Sequence, residues 1–256
     1  MLNFHLHHWL MPILALTGLT AGTVDAIAGG GGMISLPMLL AVGMPPHLAL
    51  GTNKLQGSIG TFVAAMNYYR RGMWSLKTVY KGLIFGFLGA VSGAYLSQHI
   101  SSALLAYIIP ALLIAVLIYS IFMPSLGLID RHPRMSEQLF FPLAGMILGF
   151  YDGFFGPATG SFWVFALVFF LGYNLAKATA YTKVFNLKSN IFATICFALG
   201  HNIDYRAGLM MAVGQLLGGQ LGSHLVIKNG AKFVRPVFLS VVLLTTVFLL
   251  FKQFYI

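Results

Sequence analysis

Charge is scarce in this chain. Of its 256 residues only 8% are charged, and five are acidic. A typical soluble domain is roughly a quarter charged. Hydrophobic residues make up 58% and the mean hydropathy is +0.85. So little charged surface cannot cover a water-soluble globule of this size, which excludes an ordinary cytosolic enzyme, a disordered chain and a secreted disulfide scaffold. The single cysteine, Cys196, sits in an apolar stretch. It can form no intramolecular disulfide and reads as a small buried hydrophobe.

Reactive constellations are missing too. No His, Cys or carboxylate spacing matches a zinc or iron pattern, and His5, His7 and His8 form only an N-terminal cluster. The glycine runs lack the Lys-Ser/Thr of a P-loop, which argues against ATP-driven transport by this chain. No nucleophile–base–acid set is present. The expectation is therefore no enzyme, no cofactor and no metal.

What is present is a series of long apolar runs. They cover about Trp9–Ala28, Met33–Val42, Leu48–Tyr69, Val79–Leu96, Ala103–Met123, Leu139–Tyr151, Thr159–Leu171, Leu175–Leu199, Ala207–Ile227 and Val234–Phe251. Helices are the expected element, because an open sheet in lipid leaves backbone groups unpaired, and the dyad alternation of barrel strands is absent. About eight crossings of roughly 20 residues would use the whole length. The first run has no Lys or Arg before it and reads as a retained membrane segment rather than a signal peptide.

The net charge is +10. In a soluble protein that would suggest nucleic acid, but here the basic residues lie in short loops and suggest orientation instead. Arg70, Arg71, Lys77 and Lys81 flank one loop, Arg131 and Arg134 lie in a second, and Lys228, Lys232 and Arg235 fill a third. These three should face the cytoplasm. Residues 97–102 and 200–206 should face outward, which places both termini outside.

The strongest feature is a weak self-similarity. Gly18–Gly32 reads G-x-x-x-G-x-x-D followed by small residues, and so does Gly145–Gly160, bringing Asp25 opposite Asp152 at an offset of 127. Lys54 then matches Lys183 at an offset of 129. The charge pattern gives the copies opposite orientations, the mark of inverted-repeat carriers with a site near the midplane. The expected architecture is an all-α polytopic membrane protein with two inverted repeats. Each repeat has a broken or re-entrant helix pair plus three full transmembrane helices. Residues 1–123 form the first repeat, 124–138 a cytoplasmic linker and 139–256 the second.

Candidate site residues follow from that frame. Asp25 and Asp152 are costly inside apolar runs. They either cap or pin broken helices, or carry a coupling proton or ion. Gly29, Gly30, Gly31, Gly32 and Gly156 could let backbone N–H groups and a helix N-terminus approach an anion, or merely permit close packing. Lys54 shares a helix face with Gly57, Ser58 and Thr61, and Lys183 with Asn186 and Asn190. These stripes, with Asn53, make a plausible anion cradle. Snorkelling, or a salt bridge to Asp25 or Asp152, is the alternative. Lys177 and Lys188 lie off the stripe.

The stretches Asp25–Gly32, Ala49–Gln56, Gly149–Pro157, Ala176–Ala180 and Asn186–Asn190 resemble the sulfite exporter TauE/SafE family of bacterial membrane proteins, of the uncharacterised enterobacterial branch. The resemblance implies transport of a small anion: sulfite, a sulfonate such as sulfoacetate, or a related organic acid. The expectation is alternating-access transport across the bacterial inner membrane, with the lipid bilayer and a small anion as partners and no nucleic acid. A homo-oligomer, an anion channel and a non-transporting assembly subunit stay open.

Overall fold

The structure, a computed structural model, describes residues 8–101, 129–234, 236, 237 and 240. After a single turn at His8–Leu10 come α1 (Met11–Ala28), α2 (Gly32–Ala41), α3 (Pro46–Arg70), α4 (Leu76–His99), α5 (Glu137–Phe154), α6 (Thr159–Leu171), α7 (Leu175–Leu199) and α8 (Tyr205–Asn229). All regular elements among the described residues are helical. The expected segment at Ala103–Met123, and most of that at Val234–Phe251, fall outside them.

The helix boundaries have local causes. Gly29 ends α1 with φ 76°, its N–H donating to the Asp25 carbonyl at 2.8 Å. Gly172 ends α6 in the same left-handed conformation, φ 70°. Asn174 caps α7 by accepting from the Lys177 N–H, and Asp204 caps α8 by accepting from the Arg206 and Ala207 N–H groups. Pro45 and Pro46 open α3, where a missing N–H costs nothing.

Among the described residues two helices, Met11–Ala28 and Leu76–His99, are both long and apolar enough to cross a membrane. α3, α7 and α8 have 25 residues each, about 37 Å at 1.5 Å per residue. Their mean hydropathy is lowered by polar side chains that point inward: Asn53, Lys54 and Gln56 on α3, Lys183 and Asn186 on α7, and Gln215 on α8 are all buried. The outward faces are apolar, with Ile84, Leu88, Leu143, Ile147, Leu209, Val213 and Leu217 exposed. That inside-out distribution fits a bundle solvated by lipid. α2 and α6 have 10 and 13 residues and are too short to span.

Small residues let the helices meet backbone to backbone. In the α1–α8 seam Gly18 lies against Met211 and Gly222 against Thr23 and Ala26. In the α4–α5 seam Gly82 lies against Phe141 and Gly93 against Phe150 and Phe154. Both registers rise together, so each pair runs in the same direction. α3 and α8 also run together, from Gly51 beside Asn202 to Asn67 bonded to Ser223. α4 and α7 do likewise, with Gly82 beside Phe185 and Gly86 beside Lys188. The register between α3 and α7 is reversed: Gly51 meets Phe197 while Gly57 meets Asn190. Hence α1, α3 and α8 point one way and α4, α5 and α7 the other.

Two apolar clusters close the ends of the bundle. One gathers Leu14, Leu36, Leu39, Leu50, Phe197 and Met211, and the other Tyr68, Phe141, Trp163, Leu167, Tyr181 and Phe185. At the second end Arg131 N–H donates to the Gly172 carbonyl, the Asn174 N–H and side-chain amide donate to Asp130, and the Tyr173 hydroxyl donates to Glu137 at 2.5 Å. Burial, reinforced by the Glu137 carboxylate, holds the Tyr173 phenol well above its ordinary pKa. Between the clusters lies a polar layer.

Candidate functional site

The polar layer is built where the two broken helix pairs touch. α1 stops at Gly29 and α5 gives way beyond Phe154, where Gly156 has φ 95° and Ala158 φ 64°. A Cβ on Gly29 would collide with the Gly160 backbone, and Gly32 packs on Pro157. Ser161 Oγ donates to the Ala28 carbonyl at 3.2 Å, and the Tyr151 hydroxyl to the Pro157 carbonyl at 2.9 Å. Backbone exposed by these breaks is thus packed in protein, the condition for irregular chain at membrane depth.

Two ion pairs cross the layer. Lys54 Nζ on α3 lies 2.5 Å from Asp152 Oδ1 on α5, and Lys183 Nζ on α7 lies 2.9 Å from Asp25 Oδ2 on α1. Lys183 also donates to the Asp25 carbonyl. The lysine side chains are 2% and 0% exposed and the aspartates 4% and 13%, so all four have left solvent. Each lysine reaches the aspartate at the other copy of the sequence motif. This is the salt-bridge alternative from the sequence, in crossed form. The four charges cancel, so the pairs alone make a neutral layer.

Between them is a cavity of about 30 Å³ lined by Asp25, Gly29, Gly31, Gly32, Asn53, Lys54, Asp152, Gly156, Asn186 and Asn190. Ten of the twelve candidate residues thus meet on one surface. The other two do not. Lys183 stands behind Asp25, and Gly30 is buried in the turn, where its carbonyl accepts from the Met33 N–H. Gln56, Gly57, Thr61, Gly160 and Gln215 complete the lining. Asn53 Oδ1 accepts from Ser35 Oγ at 2.5 Å and from Gln56 Nε2 at 2.8 Å. Gln56 Oε1, Asn186 Oδ1, Gln215 Oε1 and Asp152 Oδ2 are buried without a hydrogen-bond partner among the described residues. Gly31 immediately precedes α2 and Ala158 immediately precedes α6, and neither start carries a side-chain cap. Asp25 Oδ1 makes only a long contact, 3.4 Å, to the Gly31 N–H.

Gln56, Gln215 and Lys188 were not among the residues singled out from the sequence. Gln215 carried a usable signal, being one of two amides, with Gln220, in the glycine-rich middle of α8. Gln56 lies two residues beyond Lys54, off the face marked by the helical period. Among the described residues, no three His, Cys, Asp or Glu side chains come together as metal ligands.

An inward-facing polar layer in a helical bundle with an apolar exterior fits a membrane transport protein. The comparisons specify which kind: residues 14–249 match the model of the sulfite exporter TauE/SafE family, and the chain belongs to that family. It is 44% identical over 232 residues to the probable membrane transporter protein YfcA of Escherichia coli (strain K12), covering 91% of this chain and 86% of that one. It is 42% identical over 244 residues to a probable membrane transporter protein of Haemophilus influenzae, covering 95% and 96%. Probable membrane transporter protein ORF9 of Sinorhizobium sp is 40% identical over 240 residues, covering 94% and 90%. No solved structure matches the chain.

Proposed function

We propose that this protein is a secondary carrier for a small anion, namely sulfite, a sulfonate such as sulfoacetate, or a related organic acid. The observation that carries the reading is the cavity itself. It lies between the uncapped starts of two short helices and is bordered by two crossed lysine–aspartate pairs. Helix N-termini favour negative charge, and buried lysines and amides supply donors. The family description names a sulfite exporter, which supports the same substrate class.

The two halves are read as an inverted repeat spanning the bacterial inner membrane. Supporting this, α1 opposes α5, α3 opposes α7 and α4 opposes α8, and the ion pairs connect equivalent positions crosswise. Arg70, Arg71, Arg131, Arg134, Lys177 and Lys228 belong to the end where Tyr68, Tyr173 and Val226 cluster, which we assign to the cytoplasm. The termini are then periplasmic. Rocking of one half against the other would expose the cavity alternately. Its small volume favours a carrier over an open channel.

The test is counterflow in proteoliposomes loaded with unlabelled sulfite or sulfoacetate. Saturable, trans-stimulated uptake of the labelled anion is expected. Non-saturating flux would indicate a channel, and no flux of any sulfur oxyanion, sulfonate or small carboxylate would remove the proposal.

A further inference from the structure

Lys188 unbalances the polar layer. Lys54 and Asp152 cancel, as do Lys183 and Asp25, but among the described residues Lys188 on α7 has no such partner. It is 9% exposed, and its Nζ is buried without a hydrogen bond. Gly86 makes room for it where α7 meets α4 and α5, since a Cβ there would collide with Nζ, and the Gly145 carbonyl lies beside the same space. At the repeat offset of 129, Gly86 corresponds to Gln215 and Lys188 to Ile59. In the other half the Gln215 amide fills the equivalent space over Gly60. One half therefore closes this space with a neutral amide and the other with an ammonium.

A buried ammonium without a counter-charge is expensive, so its neighbours matter. Two charges act on it: the Asp152 carboxylate attracts and the Lys54 ammonium repels. Asp152 Oδ1 accepts from Lys54 Nζ, while Oδ2 is buried without a donor among the described residues. An orphaned donor on α7 and an orphaned acceptor on α5 are thus within electrostatic reach of each other.

We propose that Lys188 is the alternate partner of Asp152. When the carboxylate passes from Lys54 to Lys188, the Lys54 ammonium on the cavity wall becomes the counter-ion of the bound anion. This rests on the reading of the cavity as an anion site, and it explains how a lysine already paired can receive a ligand. Without Lys188, releasing Lys54 would strand Asp152. With it, one arriving negative charge brings the layer to neutrality: Asp152 pairs with Lys188 and the anion pairs with Lys54. Lys188 is thus a positioning residue, acting through Asp152.

The experiment uses full-length K188M, K188R, D152N and K188M/D152N, with sulfite and sulfoacetate as probes. K188M is expected to melt at or above the wild-type temperature, because a buried charge is gone, yet to bind the anion about tenfold more weakly or worse, a loss of about 1.4 kcal/mol. K188R should keep binding. K188M/D152N should bind better than K188M, because an asparagine holds Lys54 less tightly. Wild-type binding in K188M, or a double variant no better than K188M, overturns the exchange. If the wild type binds neither probe, the anion-site reading fails separately. The exchange is then judged from ligand-free melting: non-additive effects of K188M and D152N support it, and additive effects overturn it.

Discussion

Lys54 and Asp152 face each other at 2.5 Å although 98 residues separate them in the chain. Lys183 and Asp25 repeat the contact with the roles of the halves exchanged. Removing one partner of a buried pair leaves an uncompensated charge, at a cost of about 3–5 kcal/mol. K54A and D152A should therefore each lower the melting temperature in detergent. The double apolar variant K54M/D152L should recover most of that loss, because both charges leave together. Transport should stay absent in K54A and K54M/D152L, since both lack Lys54. Equal melting of the single and double variants would show that the pair is energetically idle.

The contact between the two glycine runs makes a second expectation. Gly29 has φ 76° and a Cβ there would strike the Gly160 backbone, whereas Gly43 has φ 85° and nothing within 4 Å of its would-be Cβ. G43A carries only the conformational penalty of a left-handed alanine, about 1–2 kcal/mol. G29A adds overpacking against rigid backbone, about 1–3 kcal/mol more. Folded yield by size-exclusion chromatography should fall sharply for G29A and slightly for G43A. Similar yields would mean that the two breaks can slide apart at little cost.

Much of this layer was legible in the sequence because membrane burial makes polar residues conspicuous. Five acids in 256 residues leave few alternatives, and Asp25 and Asp152 mark themselves by recurring within the same glycine pattern. The boundaries of α6 and α7 follow directly from apolar runs ended by Gly172 and Gly200. The crossing of the pairs was not legible, since local spacing says nothing of which aspartate a lysine meets across the bundle. Lys188 lies off the polar stripe because helical periodicity assigns a face to its Cα. A four-carbon side chain can still reach a seam opened by Gly86 on another helix.

Cysteine labelling tests the orientation. Starting from C196S, cysteines placed at Arg71 and Lys232 should react with a membrane-impermeant maleimide only after the inner face is opened. One at Ser101 should react in intact cells. The reverse pattern would invert the assignment of the basic end while leaving the packing of the helices unchanged.

Asn186 offers the cleanest separation of binding from folding. Its Oδ1 is buried in the cavity wall without a partner among the described residues, while its Nδ2 lies close to Gly160. No protein group would lose a bond to Oδ1 if it were removed, so N186A should melt within a few degrees of wild type. An anion in the cavity would lose an amide donor, and a hydrogen bond to a charged group is worth about 1.5–3 kcal/mol. Titration of sulfite or sulfoacetate should therefore show affinity weakened by roughly 10- to 150-fold, because each 1.4 kcal/mol is a factor of ten. Unchanged affinity in a well-folded N186A would place the anion away from α7, confining its contacts to Lys54, Asn53 and the start of α2.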